Sequence, residues 1–101
     1  MTDHSERLVY LSGEFVPESQ AKISIFDAAV NLGHCVTDSS RTFYHEAFKL
    51  KAHIARLYQS LKVARIDPGI DPDEMYRITM DLLERNLQLY ATTDDCWIVH
   101  N

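Results

Sequence analysis

Apolar residues in this chain recur at two different periods, and the change of period marks out its elements. Leu8-Val9-Tyr10-Leu11 and Glu14-Phe15-Val16 are rich in strand formers, with the two-residue link Ser12-Gly13 between them. Such links need positive φ, which glycine supplies without steric cost, so the segment predicts a tight hairpin. Pro17 has no amide hydrogen to donate, and the second strand ends there or lies at an edge. After the polar link Glu18-Ser19-Gln20, Ile23 and Ile25 alternate with Ser24, the pattern of a half-buried strand. Asp27 is placed to cap a short helical turn through Ala28-Ala29-Val30, with Gly33 at its exit.

From Cys35 to Phe43, strand period puts Thr37, Ser39, Arg41 and Phe43 on one face and Val36, Asp38, Ser40 and Thr42 on the other. Neither face is a clean apolar row, so this strand is expected to face a cavity rather than fill a core. Tyr44-His45-Glu46 turns the chain into a short strand at Phe48 and Leu50. The period then lengthens, and Ile54, Leu57, Tyr58, Leu61 and Ala64 form a helical stripe. Asp67-Pro68-Gly69 stops that helix, because a residue before proline is pushed away from helical angles. Asp71-Pro72-Asp73-Glu74 starts another, with Asp71 at the cap, Pro72 in the first turn and Glu74 positioned to close a capping box. Met75, Ile78, Leu82 and Leu83 are expected on its buried face, and Arg85-Asn86 at its end. Cys96-Trp97-Ile98-Val99 is a final strand. Together these predict an α+β fold, an antiparallel sheet with two main helices packed on one face.

Composition narrows the function more than the fold. The 101 residues suit one domain, and 46% hydrophobic with 25% charged residues is ordinary for a soluble globular chain. A formal charge of −5 argues against a nucleic-acid partner, which calls for a basic face. No apolar run approaches the roughly 20 residues that cross a bilayer, so no membrane partner is expected. The polar start through Arg7 lacks an apolar signal region, so a cytoplasmic location is expected. Cys35 and Cys96 are read as free thiols. His34, His45 and His100 form no metal-ligand spacing with them, so no metal site is expected.

Four segments carry the functional reading: Tyr10-Leu11-Ser12-Gly13-Glu14-Phe15-Val16-Pro17, Ala21-Lys22-Ile23-Ser24-Ile25-Phe26-Asp27, Ser40-Arg41-Thr42-Phe43, and Phe48 to Tyr58 with its His53-x-x-Arg56-Leu57. Arg56 flanks an apolar stripe early in a helix. There its rigid fork of donors either clamps a phosphate or stays a solvated surface charge. In this order and spacing, the set resembles the N-terminal small domain of the class IV (fold type IV) pyridoxal-phosphate aminotransferases. That family includes branched-chain, D-amino acid and (R)-amine transaminases and aminodeoxychorismate lyase.

The resemblance runs from about Leu8 to the chain end. The polar stretch 1–7 reads as a frayed terminus, and the resemblance implies an aminotransferase small domain over 8–101, cut before a lysine-bearing large domain. It places Arg56 at the phosphate of pyridoxal 5'-phosphate, and His53 as a hydrogen-bond partner orienting Arg56 or the preceding loop. Arg41, Thr37 and Leu32 fall at substrate-pocket positions, with sheet packing as the alternative role. Asp38 stands at a site often filled by an acid, where it would pair with an arginine or touch substrate. Trp97 lies near a family aromatic, or simply packs.

The chain departs from the branched-chain pattern at two of these positions. Thr37 replaces a bulky aromatic, so the pocket should be roomier or more polar; Leu32 replaces a tyrosine, so a hydroxyl that would help hold the substrate is absent, with Asn31 beside it as a partial substitute. The family's Schiff-base lysine lies in the large domain, and Lys22, Lys49, Lys51 and Lys62 read as surface charges. No catalytic residue is therefore assigned in this chain. The implied complete protein is a homodimeric transaminase moving an amino group between an amino acid and a 2-oxo acid, with the branched-chain type favoured on base rate. The reading from another class is a non-catalytic module binding an anion or a protein.

Overall fold

In the computed structural model, which describes residues 6–101, the N-terminal hairpin forms as its turn residues require. Strands β1 (Leu8–Leu11) and β2 (Glu14–Pro17) pair antiparallel, with Leu11 opposite Glu14. Ser12 and Gly13 between them sit at φ 52° and 88°. The two positive φ values match the twist of the flanking strands. Residues 1–5 of the expected frayed terminus lie outside the described residues. Arg7 and Glu6 are tied down: Arg7 pairs with Glu18 at 2.7 Å, and the Glu6 carboxylate accepts from the Ser19 amide.

The strand expected at Ile23 and Ile25 does not form. The segment runs as a loop, with Ile23 and Ile25 58% and 72% exposed. Alternation shows that one side of a segment is apolar; it does not supply the neighbouring backbone that a strand needs for its hydrogen bonds. Helix α1 (Ala28–Asn31) follows, capped by the Asp27 carboxylate accepting from the Ala29 amide at 2.9 Å, and Gly33 leaves it at φ 66°.

Strand β3 (Asp38–Phe43) is the centre of a second, three-stranded sheet, flanked by β4 (Glu46–Ala47) and β5 (Trp97–His100). Both pairings are antiparallel. The fold is α+β with antiparallel strands, as expected, but the strands divide between two sheets rather than one. Helix α2 (Leu50–Ala64) buries Leu50, Ile54, Leu57 and Leu61, the stripe its period predicts. Helix α3 (Pro72–Leu87) is capped by Asp71, which accepts from the Glu74 amide at 2.8 Å. Its deepest residues are Thr79 and Leu83. Leu50, Ile54, Leu83 and Ile98 form the core, with Met75, Tyr76, Met80 and Leu87 against it.

Asn86, expected only to mark a helix end, ties α3 to β1. Its side-chain amide accepts from Leu8 N and donates to Leu8 O, both at 2.8 Å. It does for the outer edge of β1 what a neighbouring strand would do.

The expectation that β3 faces a cavity rather than a core is not met: one of its faces is buried and the other lies open. Its polar residues Asp38, Ser40 and Thr42 are the buried ones, while Ser39, Arg41 and Phe43 lie outward. Polar residues are tolerated in a core when each finds a partner. Asp38 and Thr42 do; the buried Ser40 Oγ has none among the described residues. Leaving a buried hydroxyl unpaired costs about 1–3 kcal/mol. Ser40→Ala is therefore expected to stabilise the fold by about 1 kcal/mol, raising the thermal midpoint by roughly 4–8 °C. A lowered midpoint in thermal unfolding would show that the hydroxyl makes a favourable interaction instead.

Candidate functional site

His53 and Arg56 stand three residues apart on α2 and therefore on the same side of it. The helix packs over the start of β3, where alternation turns Asp38 inward beneath it. The three side chains meet there. Asp38 Oδ2 accepts from Arg56 Nε at 2.7 Å; Oδ1 accepts from Arg56 Nη2 at 3.0 Å and lies 2.8 Å from His53 Nδ1. A bare nitrogen lone pair at that distance would repel the carboxylate, so His53 carries its proton on Nδ1 and donates it. The three donors hold the carboxylate in one orientation.

The burial of the three is unequal. The Asp38 side chain is 5% exposed and that of Arg56 64%. Arg56 thus reaches inward with one edge and remains in solvent with the rest. Its hydrogen bond, helped by His53 and opposed by burial, lowers the Asp38 pKa from 3.8 to about 2. Of the five guanidinium hydrogens, two bond Asp38. Among the described residues Nη1 bonds nothing, and Nη2 otherwise lies only 3.3 Å from His53 Nδ1. The end of the fork is free.

The outward face of the sheet carries different chemistry. Arg41 lies opposite Trp97 and Ser39 opposite Val99, and the Thr37 hydroxyl donates to Asn101 Oδ1 at 2.9 Å. The Arg41 guanidinium stacks 4.0 Å from the centre of the Phe43 ring, and Nε donates to Thr42 O at 3.0 Å. Phe43 meets Phe48 edge to face, at 5.2 Å between centroids. Trp97 is 80% exposed, so the packing role open to it from sequence is not what it does among the described residues.

Asp95 organises the far end of β3, and nothing in the sequence pattern singled it out. Oδ1 accepts from Thr42 Oγ1 at 2.8 Å and from His45 N at 2.9 Å, and Oδ2 from Tyr44 N at 3.3 Å. The His45 amide, with the Thr42 hydroxyl, holds its pKa below the ordinary value. Tyr44 and His45 both have positive φ, 51° and 65°. A turn of this kind is usually marked by Asn and Gly; here a carboxylate from another strand's approach holds it.

The structure therefore separates the residues assigned from sequence. Arg56 reaches the inner face at the start of β3. Thr37 and Arg41 lie on the outer face, with Arg41 drawn toward Phe43. Leu32 lies past α1 and is 78% exposed. Two hollows, of 570 and 700 Å³, flank α3, one beside β4 and one between β1 and β5. Neither is lined by any of these four residues. Cys35 and Cys96 are free thiols, and no cluster that could hold a metal ion occurs among the described residues.

The donor set fits one end of a phosphate. A guanidinium whose inner edge is fixed to a carboxylate still offers a forked outer edge, the geometry that matches phosphate oxygens. His53 Nε2 is the remaining polar atom of the cluster that Asp38 leaves unengaged.

No protein-family model matches the chain. It is 38% identical over 78 residues to a putative branched-chain-amino-acid aminotransferase of Methanocaldococcus jannaschii, covering 77% of this chain and 27% of that protein. It is 26% identical over 78 residues to a D-alanine aminotransferase of Staphylococcus haemolyticus, covering 77% and 28%. Its fold superimposes on a branched-chain aminotransferase from Thermoproteus uzoniensis with a TM-score of 0.77, over 93% of this chain and 32% of that one, at 22% identity. The chain spans just over a quarter of the length of these two curated relatives.

The cluster has two pH signatures. Asp38's folded pKa is depressed, so its contribution to stability is complete above 3.8 and is lost as pH falls through about 2. His100 is also depressed, by burial, from 6.5. Thr79 Oγ1 spends its hydrogen on Met75 O at 2.7 Å, so His100 Nε2 donates to it at 3.0 Å. Its neutral-state contribution is complete above 6.5 and weakens as pH falls from there. Denaturant melts of wild type and Asp38→Asn should therefore differ most above pH 4 and converge toward about pH 2. A difference that persists undiminished at the acid end would mean that the carboxylate is not held in its charged form.

Proposed function

We infer that this chain, a class IV aminotransferase-like domain in sequence and fold, is the small domain of a pyridoxal-phosphate-dependent transaminase. The observation that carries the reading is the Arg56 fork, anchored on one edge by Asp38 and free on the other. It lies within a chain similar to two differently named aminotransferases. Pyridoxal phosphate supplies the electron sink that lets an amino group leave one carbon skeleton and join another. What this chain supplies is binding and orientation.

Arg56 would take the cofactor phosphate with its outer edge. Arg41 and Thr37 would form one wall of the substrate pocket, with Leu32 contributed by the loop after α1. On that wall the Thr37–Asn101 hydrogen bond puts a small polar pair where a bulky side chain would close the space. This supports a pocket admitting a polar or larger substituent. The substrates would be an amino acid and a 2-oxo acid. Branched-chain type comes first because the archaeal relative of that name is 38% identical, against 26% for the D-alanine aminotransferase, which supports the D-amino acid alternative.

Lys22, Lys49, Lys51 and Lys62 are all exposed, which suits surface charges rather than a covalent anchor for the cofactor. The residue range 8–101 is accordingly proposed as one of two domains, working in a homodimer in the cytoplasm. The chain by itself is expected to show no turnover of amino acid with 2-oxoglutarate. Transamination by the pure chain would overturn the two-domain reading.

In the complete protein, Arg56→Ala should weaken cofactor retention by about tenfold to hundredfold, the equivalent of a charge-assisted contact of roughly 1.5–3 kcal/mol. Asp38 then keeps only His53, so retention is to be measured well below the variant's thermal midpoint. Arg41→Ala should instead alter turnover or substrate preference with cofactor affinity nearly unchanged. Fluorescence titration of cofactor separates the two. Equal retention in wild type and Arg56→Ala would return Arg56 to the class of surface charges.

A further inference from the structure

We propose that Asp38 and His53 are positioning residues for Arg56, fixing the inner edge of its guanidinium so that the outer edge is turned toward a phosphate monoester. The proposal rests on the reading of Arg56 given above and assigns two residues that do not themselves touch the phosphate. An arginine on an exposed helix flank samples many rotamers, and anchoring its fork in advance leaves less freedom to lose when an anion arrives. Here the anchor is itself anchored. Asp38 Oδ1 is shared between Arg56 Nη2 and the His53 Nδ1 proton, and Oδ2 takes Arg56 Nε. With all three bonds made, the carboxylate cannot rotate without breaking one of them.

Charge alone argues against Asp38 at an anion site. A carboxylate 2.7 Å from the arginine cancels much of its attraction for a phosphate. The groups facing Asp38 are Arg56 and His53 from α2 and His100, opposite it on β5; His100 is kept neutral by burial. The charges of Arg56 and Asp38 thus offset one another. If attraction were what the site needed, removing Asp38 would improve it. If orientation is what it needs, removing Asp38 makes it worse despite the added positive charge. The two effects have opposite signs.

That sign is the test. Inorganic phosphate is titrated into the chain at neutral pH, below the thermal midpoint of every variant, and followed by NMR of the arginine side-chain N–H groups. Asp38→Asn keeps the size of the side chain and is expected to bind phosphate about threefold or more weakly, as loss of a pre-organised fork requires. Tighter or unchanged binding by folded Asp38→Asn overturns the proposal, because a merely structural ion pair would leave the charge effect to prevail. Asp38→Glu, which restores the charge on a longer arm, should recover part of the affinity.

Wild type supplies a second readout that needs no variant to fold. Phosphate should move the Arg56 Nη signals and leave its Nε–H, still bonded to Asp38, where it was. A phosphate-induced shift of Nε–H as large as that of Nη would show Asp38 displaced and sink the idea. Arg56→Ala separates the two levels. If it binds phosphate as well as wild type does, the reading of Arg56 itself fails; if it loses binding while Asp38→Asn does not, only the positioning role fails.

Discussion

A carboxylate turned into the interior must find donors, and in this domain the Asp38 carboxylate finds them on a helix. An isolated ionised group would be far too costly beneath α2, so the start of β3 and the first two turns of α2 have to come together with Arg56 and His53 in reach. The apolar contacts of Ile54 and Leu57 bring the helix down onto the sheet. They are non-directional, and many rotations of the helix would bury them comparably well. The three hydrogen bonds to Asp38 select one rotation. The same bonds that register helix against strand also place Arg56 with its outer edge free for an anion, so fold and candidate site share a constraint.

The central strand then serves both faces. Inward, Asp38 and Thr42 engage charged or polar partners at its two ends, with the unpaired Ser40 between them against the core. Outward, Ser39, Arg41 and Phe43 line up with Val99 and Trp97 on a surface left open among the described residues. Arg41 and Arg56 lie on opposite faces, with their strand anchors, Arg41 and Asp38, three residues or about 10 Å apart. Arg56 is bonded to Asp38 through both Nε and Nη2, while Arg41 lies on an aromatic ring, donates to a peptide carbonyl and stands 3.8 Å from Asp95 Oδ2.

The elements that local chemistry marks were legible. The Ser12-Gly13 hairpin, the Asp27 and Asp71 caps, the α2 stripe and the last strand all follow from residues within a few positions of one another. The failures share a cause. Ile23 and Ile25 alternate correctly and lack a partner strand. Tyr44 and His45 adopt left-handed angles without glycine or asparagine because Asp95, fifty residues away, accepts their amide hydrogens. Asn86 completes the edge of β1 across an even longer span. None of these leaves a periodic trace, because each partner is brought close only by folding.

What the sequence by itself determined is therefore most of the elements and the division of β3 into two faces, with the candidate chemistry at Arg56, Arg41, Thr37 and Leu32 implied by the family resemblance. The elements and the two faces follow from period, capping and residue type, all of which are short-range. Only the tertiary structure decided which face of β3 is buried, since both carried polar residues and neither had an apolar majority. It also decided that Asp38, rather than solvent, meets Arg56, and that Leu32 stands apart from Thr37 and Arg41 on an exposed loop. The reason is one of range. Hydrogen-bond partners far apart in the chain are chosen by where the apolar packing leaves them, and that is set by the whole fold at once.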